Sequence, residues 1–441
     1  MLPARDTQPL APAPLRMPAA LREFLREETA GGVVLVAAAV LALAWANSPW
    51  QASYDAFWRT GLEVRLGRLG LGDDLRGWVN EGLMALFFLV VGLELKRELV
   101  DGELRSMRQA ALPVVAAAGG MLLPAAIYAA FNASGPGADG WGVPMATDIA
   151  FALGVLAMAG SGVPPVLKLF LLALAVVDDL GSILVVAVFY SGELRLPALA
   201  AAAGLVALVL GLRRLRVGWG PVYIATGAGL WLALHAAGVN AALAGVAMGL
   251  LTPARPVSHP DAVHDSSRAL AQTPGPAPVR EVVREARGTV STVERLEHDL
   301  HPLTAFLVVP VFALANAGVT VHAAALTEPG APAVFAGLVA GRIVGKPVGI
   351  LLAVWLAVRL GLGAVPSGAG MRHLAGVATV AGIGFTVPLF VADLAFPGGE
   401  FEAAVKLGLL AASVVAGLAG VLILRGARPT APPHPTGGPV R

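Results

Sequence analysis

Three ionisable residues lie near the centres of long apolar stretches. Asp178 and Asp179 interrupt the stretch 165–190, and Lys346 interrupts the stretch 333–358. A charge at the middle of a bilayer costs roughly 2.5–3.5 kcal/mol on insertion scales, so such a residue is a functional candidate by default. Adjacent helix residues are about 100° apart around the axis. One aspartate can therefore face a partner helix while the other faces a cavity.

These three groups are predicted to form one coupled site. A lone ammonium needs a counter-ion, and an aspartate of the other stretch is the candidate partner of Lys346. The alternatives are that the aspartates cap a helix end among the headgroups and that Lys346 extends to an interface. Arg342 lies one turn earlier on the same face as Lys346. It is nearer one end of its stretch, so an interfacial position and a site role both remain open.

Two breaks rich in Gly and Pro form a second feature. The first contains Pro144, Thr147 and Asp148, and the second contains Gly384 and Thr386. Pro and Gly weaken a helix, and an interrupted membrane helix is tolerated only where its backbone lines a cavity or is buried in protein. Interrupted spans in corresponding positions of a chain are a sequence pointer to a transporter binding site.

Oxygen atoms dominate the candidate ligands. Carboxylates, hydroxyls and backbone carbonyls suit a hard cation, and the chain has no Cys to bind a soft metal. A carboxylate can hold either a proton or a small cation. If the two compete for Asp178 and Asp179, and the site opens to one side at a time, they move in opposite directions. The residues therefore predict a secondary transporter and not an enzyme, with no cofactor.

The composition indicates a polytopic membrane protein. Of 441 residues, 56% are hydrophobic and 14% are charged, and the mean hydropathy is +0.74. About one quarter of the residues are charged in an ordinary globular protein. The net charge of +2 is too small to indicate a nucleic-acid partner. The partners predicted from the residues are a small hard cation, protons and the lipid bilayer.

Twelve apolar stretches are candidates for membrane spans. Their continuous apolar character predicts helices and not a β-barrel. Lys and Arg are concentrated in both tails and in every second loop, which predicts that both termini are cytoplasmic. The stretches are 31–47, 79–95, 110–131, 144–160, 165–190, 197–212, 220–236, 239–251, 302–321, 333–358, 373–395 and 403–424.

A single transmembrane domain, residues 31–424, is predicted to make up most of the chain. We expect a cytoplasmic tail with a short amphipathic helix at 1–30 and a disordered cytoplasmic tail at 425–441. The external loop 48–78 contains an alternating pattern at 62–66 that predicts a short strand or hairpin.

The longest polar stretch is the loop 252–301, which the charge distribution places in the cytoplasm. Its first half is rich in Pro, and we expect it to be mobile. From Val279 to Leu300 apolar and charged residues recur at helical spacing, which predicts a surface helix.

From Leu21 to Leu424 the order of the motifs resembles the NhaA family of bacterial Na⁺/H⁺ antiporters. Each motif alone is weak, but their combination is specific. Members of this family are themselves examples of transporters with interrupted helices. The matching segments are 44–49, 80–99, 146–152, 177–181, 312–318, 345–347 and 382–386.

The resemblance implies an all-α fold of twelve transmembrane helices. Spans 3–5 and 10–12 would be inverted repeats, and spans 4 and 11 would be broken and would cross at their unwound middles. It also implies pH-regulated, electrogenic export of Na⁺ or Li⁺ in exchange for protons across the bacterial inner membrane. The family's dimers imply a homodimer formed through the external loop at 50–75.

By position in the motifs, Asp179 would be the principal carboxylate for both the cation and the proton, with Asp178 beside it. Lys346 would pair with Asp178 in one state. Asp148 and Thr147 would compensate the charges of the crossed helix ends and assist cation binding.

The family is activated at alkaline pH by a cytoplasmic cluster, and the similar positions here are Glu94, Glu98, Glu297, His298 and His301. For each of them a solvated loop residue is the alternative that sequence alone favours. Two positions depart from the pattern. A well-known relative has His where this chain has Asn240, and Lys where it has Glu294. Because Asn does not titrate, we expect a shifted pH profile.

Three other functional classes are alternatives. A cation channel would use rings of charge or carbonyls around a shared pore, and it would not need a buried lysine beside titrating carboxylates. An intramembrane aspartyl protease needs two carboxylates that face each other, which neighbours on one helix do not provide. The match to its signature at Gly70–Asp73 lies in the external loop and is interpreted as a turn. An ion-coupled symporter of related broken-helix fold is the closer alternative. The adjacent aspartates together with Lys346 favour antiport.

Overall fold

The computed structural model describes residues 19–427 with eleven short gaps. The tail before residue 19 and the tail after residue 427, for which the sequence made predictions, lie outside the described residues. The gaps are 67–68, 103, 161–162, 193, 216, 218–219, 257, 321–325, 366–368, 398 and 400.

The described chain is almost entirely helical. Its amino-terminal half contains α1 (Ala19–Ala46), α2 (Gln51–Trp58), β1 (Gly61–Leu66), β2 (Leu69–Asp74), α3 (Leu75–Gly77), a π-helical segment (Trp78–Leu83), α4 (Met84–Val100), α5 (Met107–Asn132), a 3-10 turn (Ala138–Gly142), α6 (Ile149–Met158), α7 (Pro165–Phe189), α8 (Leu196–Arg214), α9 (Gly220–Ala236) and α10 (Leu243–Leu251).

The carboxyl-terminal half continues in the same way. It contains α11 (Pro260–Gln272), α12 (Pro276–Gly288), α13 (Thr292–Leu303), a π-helical segment (Thr304–Val308), α14 (Val309–Asn316), α15 (Ala331–Ala340), a π-helical segment (Gly341–Gly345), α16 (Lys346–Arg359), α17 (Met371–Val380), α18 (Thr386–Ala395) and α19 (Glu402–Arg425).

Six helical segments of the described chain are long and apolar enough to cross a membrane. A seventh candidate is the pair Ala30–Ala46 and Gln51–Trp58, which is bent by 116°. The helices α6 and α18 are apolar but have only 10 residues each. The protein is therefore a helical membrane protein. The six segments are Ala110–Asn132, Pro165–Phe189, Leu196–Arg214, Thr292–Asn316, Ala331–Arg359 and Glu402–Arg425.

The alternating pattern at 62–66 does form a strand. It is part of β1, which pairs antiparallel with β2 so that Leu66 lies opposite Leu69. The interpretation of Gly70–Asp73 as a turn is wrong, because these residues lie within β2. Their backbone groups pair with β1, and this pairing outweighs the turn preference of the glycines. We call the end of the bundle that carries this hairpin the hairpin end.

The 252–301 loop differs from its prediction in two ways. Its Pro-rich first half, expected to be mobile, contains the helix α11, which packs against α12. Pro260 is the first residue of α11, where a missing N–H costs nothing. The single helix expected from Val279 to Leu300 is two helices, α12 and α13, because Ser291 caps a new helix start. We call this end of the bundle the loop end.

Two buried apolar clusters form most of the core, and they meet at the two predicted breaks. Ala146 and Phe385 belong to one cluster, and Ala381 and Ile383 belong to the other. Glycines allow α5 and α16 to approach closely, since a Cβ on Gly349 would collide with a backbone carbonyl of α5. This approach fixes α16, which begins at Lys346.

Candidate functional site

The site is built around two stretches of non-helical backbone. One lies between the 3-10 turn and α6, and the other lies between α17 and α18. They are hydrogen-bonded to each other, since the backbone N–H of Asp148 donates to the carbonyl of Ile383 at 3.0 Å. Pro144, one of the residues predicted to cause the first break, is buried within it. Backbone groups that lack helical partners are thus paired across the two segments.

Asp148 caps two helices at once. Its Oδ1 accepts from the N–H of Phe151 at 3.1 Å, at the start of α6. Its Oδ2 accepts from the N–H of Thr386 at 3.1 Å and from the Thr386 hydroxyl at 2.9 Å, at the start of α18. Helix amino termini carry partial positive charge. One buried carboxylate therefore compensates both helix starts.

Thr147 connects the breaks to α7. Its Oγ1 lies 2.8 Å from Asp178 Oδ2 and 3.0 Å from the carbonyl oxygen of Ala381. A hydroxyl has one proton to donate, so either acceptor can receive it. The two acceptors therefore share a single hydroxyl proton, and Asp178 Oδ2 is also paired with Lys346.

Lys346 and Asp178 form a buried ion pair. Their Nζ and Oδ2 atoms are 2.7 Å apart, and both side chains are 0% exposed. Lys346 also donates to the carbonyl of Met145 in the first break. Neither predicted alternative, a headgroup cap or an interfacial lysine, fits this burial. The pair joins α7 to α16 at the level of the breaks.

Arg342, whose role the sequence left open, is fully buried. Its Nε donates to the carbonyl of Gly382 at 3.0 Å and its Nη2 donates to the carbonyl of Ala146 at 2.9 Å. The guanidinium therefore joins both breaks. Gly384 leaves room for it, because a Cβ there would collide with Nη2. The one-turn spacing from Lys346 was the signal that pointed to this position.

Asp179 faces away from the ion pair, as the 100° separation predicts. It is 3% exposed and lines a cavity of about 70 Å³ together with Glu94, Asp148, His301 and Thr386. Its Oδ1 is buried and, among the described residues, has no hydrogen-bond partner. Asp178 Oδ1 also has no hydrogen-bond partner among the described residues. The two aspartates therefore differ in their surroundings: Asp178 is paired with Lys346, and Asp179 lines the cavity.

The candidate pH-response residues converge near the loop end of this cavity, with one exception. Arg97 Nη1 lies 2.5 Å from Glu297 Oε1 and Arg97 Nη2 lies 3.9 Å from Glu98 Oε1. Glu94 and His301 line the cavity itself. His298 is exposed. Sequence reasoning did not single out Arg97, which holds α4 to α13.

The two departures from the family pattern have local structural roles. Glu294 completes a capping box: the N–H of Ser291 donates to Glu294 Oε2 at 3.1 Å, and the N–H of Glu294 donates to Ser291 Oγ at 3.2 Å. The Ser-x-x-Glu spacing is the sequence signal for this cap. Asn240 Oδ1 accepts from the N–H of Ala242 at 2.9 Å in the turn before α10.

A family model described as Na⁺/H⁺ antiporter 1 matches residues 22–424. The Na⁺/H⁺ antiporter NhaA 3 of Frankia alni is 47% identical, over 95% of this chain and 92% of the relative. The Na⁺/H⁺ antiporter NhaA of an Anaeromyxobacter species is also 47% identical, over 96% of each chain.

Among solved structures, the sodium proton antiporter MjNhaP1 from Methanocaldococcus jannaschii is similar, with a TM-score of 0.48 and 12% identity. That match covers 92% of this chain and 99% of the other. The family model and the two relatives extend over nearly the whole chain. On that basis the chain belongs to the NhaA family of Na⁺/H⁺ antiporters.

Proposed function

We propose that this chain exports Na⁺ or Li⁺ in exchange for protons, with both ions competing for Asp179 and Asp178. The observation that carries the proposal is Asp179, a buried carboxylate at a cavity with an oxygen that has no described partner, beside an ion-paired carboxylate. Family membership supports Na⁺ and H⁺ as the transported ions. No cofactor is part of this mechanism.

The cation is proposed to bind among oxygen atoms. Asp179 supplies a carboxylate at the cavity, and Asp178, Asp148 and Thr147 supply further oxygens within the same group of contacts. A small hard cation prefers such ligands. Protonation of Asp179 removes the negative charge that attracts the cation, so the two ions exclude each other.

The exchange is proposed to be electrogenic because two carboxylates take part. Protonation of Asp178 breaks its pair with Lys346 while Asp179 exchanges a proton for Na⁺. If both carboxylates carry a proton in one half-cycle and one Na⁺ displaces both in the other, each cycle moves one net charge. The 2.7 Å pair supports a direct coupling between these protonation events.

The two breaks are proposed to be the middles of crossed, interrupted spans. One span would combine the 3-10 turn with α6, and the other would combine α17 with α18. Their mutual hydrogen bonds and the shared Asp148 cap support this arrangement. With them we propose twelve spans in a single domain, 31–424, with spans 3–5 and 10–12 as inverted repeats.

The orientation follows from the distribution of Lys and Arg. We place the loop end and both termini in the cytoplasm of a bacterium, and the hairpin end outside the inner membrane. The cavity of Asp179 then faces the cytoplasm. Alternating access would close it and open a route to the hairpin end.

We propose that the cluster around Arg97 regulates the exchange by pH. Glu98, Glu297 and His301 lie where α13 meets α4, and His301 and Glu94 line the route to Asp179. Protonation changes that weaken the contact between α4 and α13 would change the access to the cavity. The exposed His298 is a weaker candidate.

The test uses everted vesicles from an antiporter-deficient bacterium that expresses the chain. Respiration acidifies the lumen, and a pH-sensitive dye reports the effect of added Na⁺, Li⁺ or K⁺ at several pH values. We expect Na⁺ and Li⁺ to collapse the gradient and Asp179→Asn to abolish the effect. In proteoliposomes, a potential-sensitive dye should report net charge movement.

The alternative is an ion-coupled symporter of related fold. Protein that is present in the membrane but gives no cation-dependent proton flux at any pH would contradict antiport. Uptake of an organic solute driven by Na⁺ would then support the symporter. A flux that persists in Asp179→Asn would contradict the assigned carboxylate but not the exchange.

A further inference from the structure

A second polar cavity lies at the hairpin end, between α3, α18 and the start of α19. Its volume is about 220 Å³. It contains three carboxylates and two cationic groups, so its excess charge is negative and attracts cations. Its charged and amide lining residues are Asp74, Arg76, Asn80, Asp393, Glu402 and Lys406.

The two cations of this cavity share one carboxylate. Lys406 is ion-paired with Glu402, one turn earlier on α19, and Arg76 Nη1 lies 3.5 Å from Glu402 Oε1. Asp74 caps α3 through a backbone N–H at 2.8 Å. Of these three carboxylates Asp393 is the one that, among the described residues, has neither an ion pair within 4 Å nor a helix start to cap.

Asp393 is half-buried and has few partners. Its Oδ2 accepts from Asn80 Nδ2 at 2.8 Å, and Asn80 Oδ1 accepts from Asn316 Nδ2 at 2.7 Å. In the described part of the chain Asn80 is its only hydrogen-bond partner, and Asp393 joins no ion pair. An ionisable residue within a membrane bundle is costly unless it is paired or faces a polar cavity, and it marks an ion route by default.

The helix α18 connects this residue to the central site. Asp393 lies seven residues after Thr386, so the two share a helix face at a distance of about 10 Å along the axis. Thr386 donates to Asp148 and lines the cavity of Asp179. The same face of α18 therefore forms a wall of both cavities.

An apolar layer separates the two cavities. The rings of Phe88 and Phe390 have centroids 5.0 Å apart, and both residues are 2% exposed. Leu389, which lines the hairpin-end cavity, is equally buried. Charged ions do not cross such a layer unless it opens, so it divides the proposed route into an inner and an outer part.

We propose that Asp393 is an outer staging carboxylate of the exchanger. It binds the Na⁺ or the proton that passes between the hairpin-end solution and Asp179 when the apolar layer opens. The proposal rests on the antiport function and adds a residue that none of the sequence motifs contained. The proposal requires that loss of the Asp393 carboxylate changes the KM for Na⁺ on the hairpin side of the membrane only.

The first test compares the two membrane faces. Right-side-out vesicles present the hairpin end to the medium, and everted vesicles present the loop end; ²²Na⁺ uptake against an imposed proton gradient gives the apparent KM from each side. For Asp393→Asn we expect the KM for Na⁺ to rise about tenfold from the hairpin side, because one carboxylate attraction is lost. From the loop side it should stay close to that of the unaltered chain.

Asp139→Asn is the matched control. Asp139 is exposed at the same end of the bundle and does not line the cavity, so the same loss of charge should leave both KM values unchanged. Asp393→Glu should restore the hairpin-side KM. A hairpin-side KM that does not rise in Asp393→Asn, or an equal rise on both sides, would overturn the proposal.

A second test restores the charge chemically. The chain has no Cys, so Asp393→Cys gives a single thiol for membrane-impermeant methanethiosulfonates. A negatively charged adduct added from the hairpin side should lower the KM, and a positively charged adduct should raise it. Equal effects of the two reagents, or labelling only from the loop side, would contradict a staging role.

A failure of the proposed antiport function can be distinguished from a failure of the staging role of Asp393. If the unaltered chain gives no Na⁺-dependent proton flux, the exchange itself is wrong and the staging role falls with it. If the unaltered chain exchanges ions and Asp179→Asn abolishes exchange, while Asp393→Asn is indistinguishable from Asp139→Asn, only the staging role is wrong.

Discussion

At the scale of single residues, the pair of Lys346 and Asp178 has the largest energetic consequence. Both groups are completely buried, so neither can be solvated if its partner is removed. Removing one partner of a buried pair is strongly destabilising, whereas replacing both by apolar groups is often neutral. The contribution of the pair to the stability of the fold can therefore be measured separately from its role in transport.

We predict that Lys346→Ala lowers the free energy of unfolding by roughly 3–5 kcal/mol, because Asp178 is left as an uncompensated buried charge. The double variant Asp178→Leu with Lys346→Met should regain much of that loss and still transport nothing. Thermal unfolding in detergent and the vesicle assay measure the two effects. Lys168→Ala, a half-buried lysine of α7, is the control.

Full electrogenic transport by Lys346→Ala with an unchanged pH profile would show that the pair takes no part in exchange. A double variant no more stable than Lys346→Ala would show that the cost arises from lost packing and not from the unpaired carboxylate.

At the scale of elements, the two breaks depend on the space that Gly384 provides for Arg342. We predict that Gly384→Ala destabilises the protein and abolishes transport, since the added Cβ would collide with the guanidinium that joins the breaks. Gly154→Ala is the control. A Cβ at Gly154 meets nothing within 4 Å, and Ala is favoured over Gly inside a helix by about 1 kcal/mol.

Unfolding temperature and transport rate are the measurements for this pair of glycines. Gly154→Ala should be as stable as the unaltered chain or more so. If both variants behaved alike, the close contact between Arg342 and Gly384 would not matter for the site.

The capping box of α13 gives a second prediction at this scale. Glu294→Lys should shorten or loosen the start of α13 and move the pH midpoint of exchange, because this helix carries Glu297 and His301. Glu294→Gln retains an acceptor for the N–H of Ser291 and should leave the midpoint unchanged. The pH dependence of dye dequenching in everted vesicles measures the shift.

A shift of equal size in Glu294→Gln and Glu294→Lys would assign the effect to the lost carboxylate charge and not to the cap. No shift of the pH midpoint in either variant would show that the start of α13 takes no part in the regulation of exchange by pH.

The sequence allowed much of this site to be anticipated and left specific parts out of reach. Asp178, Asp179 and Lys346 could be predicted as site candidates, because a charged residue within a long apolar stretch is visible in the sequence itself. The contact of Arg342 with the two breaks joins residues 40 and 196 positions apart. No local pattern reports such a contact. The cap at Ser291 has a sequence signal, but the helical spacing of apolar residues from Val279 to Leu300 continues across it and predicts one helix instead of two.

At the scale of the whole molecule, the hairpin of β1 and β2 exposes the side chains of most of its described positions. We propose that it mediates dimerisation, since in the described part of the chain each strand pairs only with the other and keeps a free edge, and since Leu62 and Val64 are exposed. The N–H of Leu75 donates to the carbonyl of Thr60 at 3.1 Å, so the ends of the hairpin are adjacent. A short Gly linker can therefore replace residues 61–73, which keeps Asp74 as the cap of α3 and in the lining of the hairpin-end cavity.

We predict that this replacement yields a monomer that still exchanges ions, because the hairpin contributes nothing to the cavity of Asp179. Native mass spectrometry and the vesicle assay are the measurements. A variant that remains dimeric would place the interface elsewhere, and an inactive monomer would show that exchange depends on the dimer.

The π-helical segment Gly341–Gly345 determines the direction in which the side chain of Lys346 leaves its helix. A π turn contains one residue more than an α turn, and one residue corresponds to about 100° of rotation. Lys346 is the first residue after that segment, so the extra residue sets the phase at which its side chain leaves the helix. Deletion of one residue within 341–345 would therefore rotate the ammonium of Lys346 by about 100° away from Asp178.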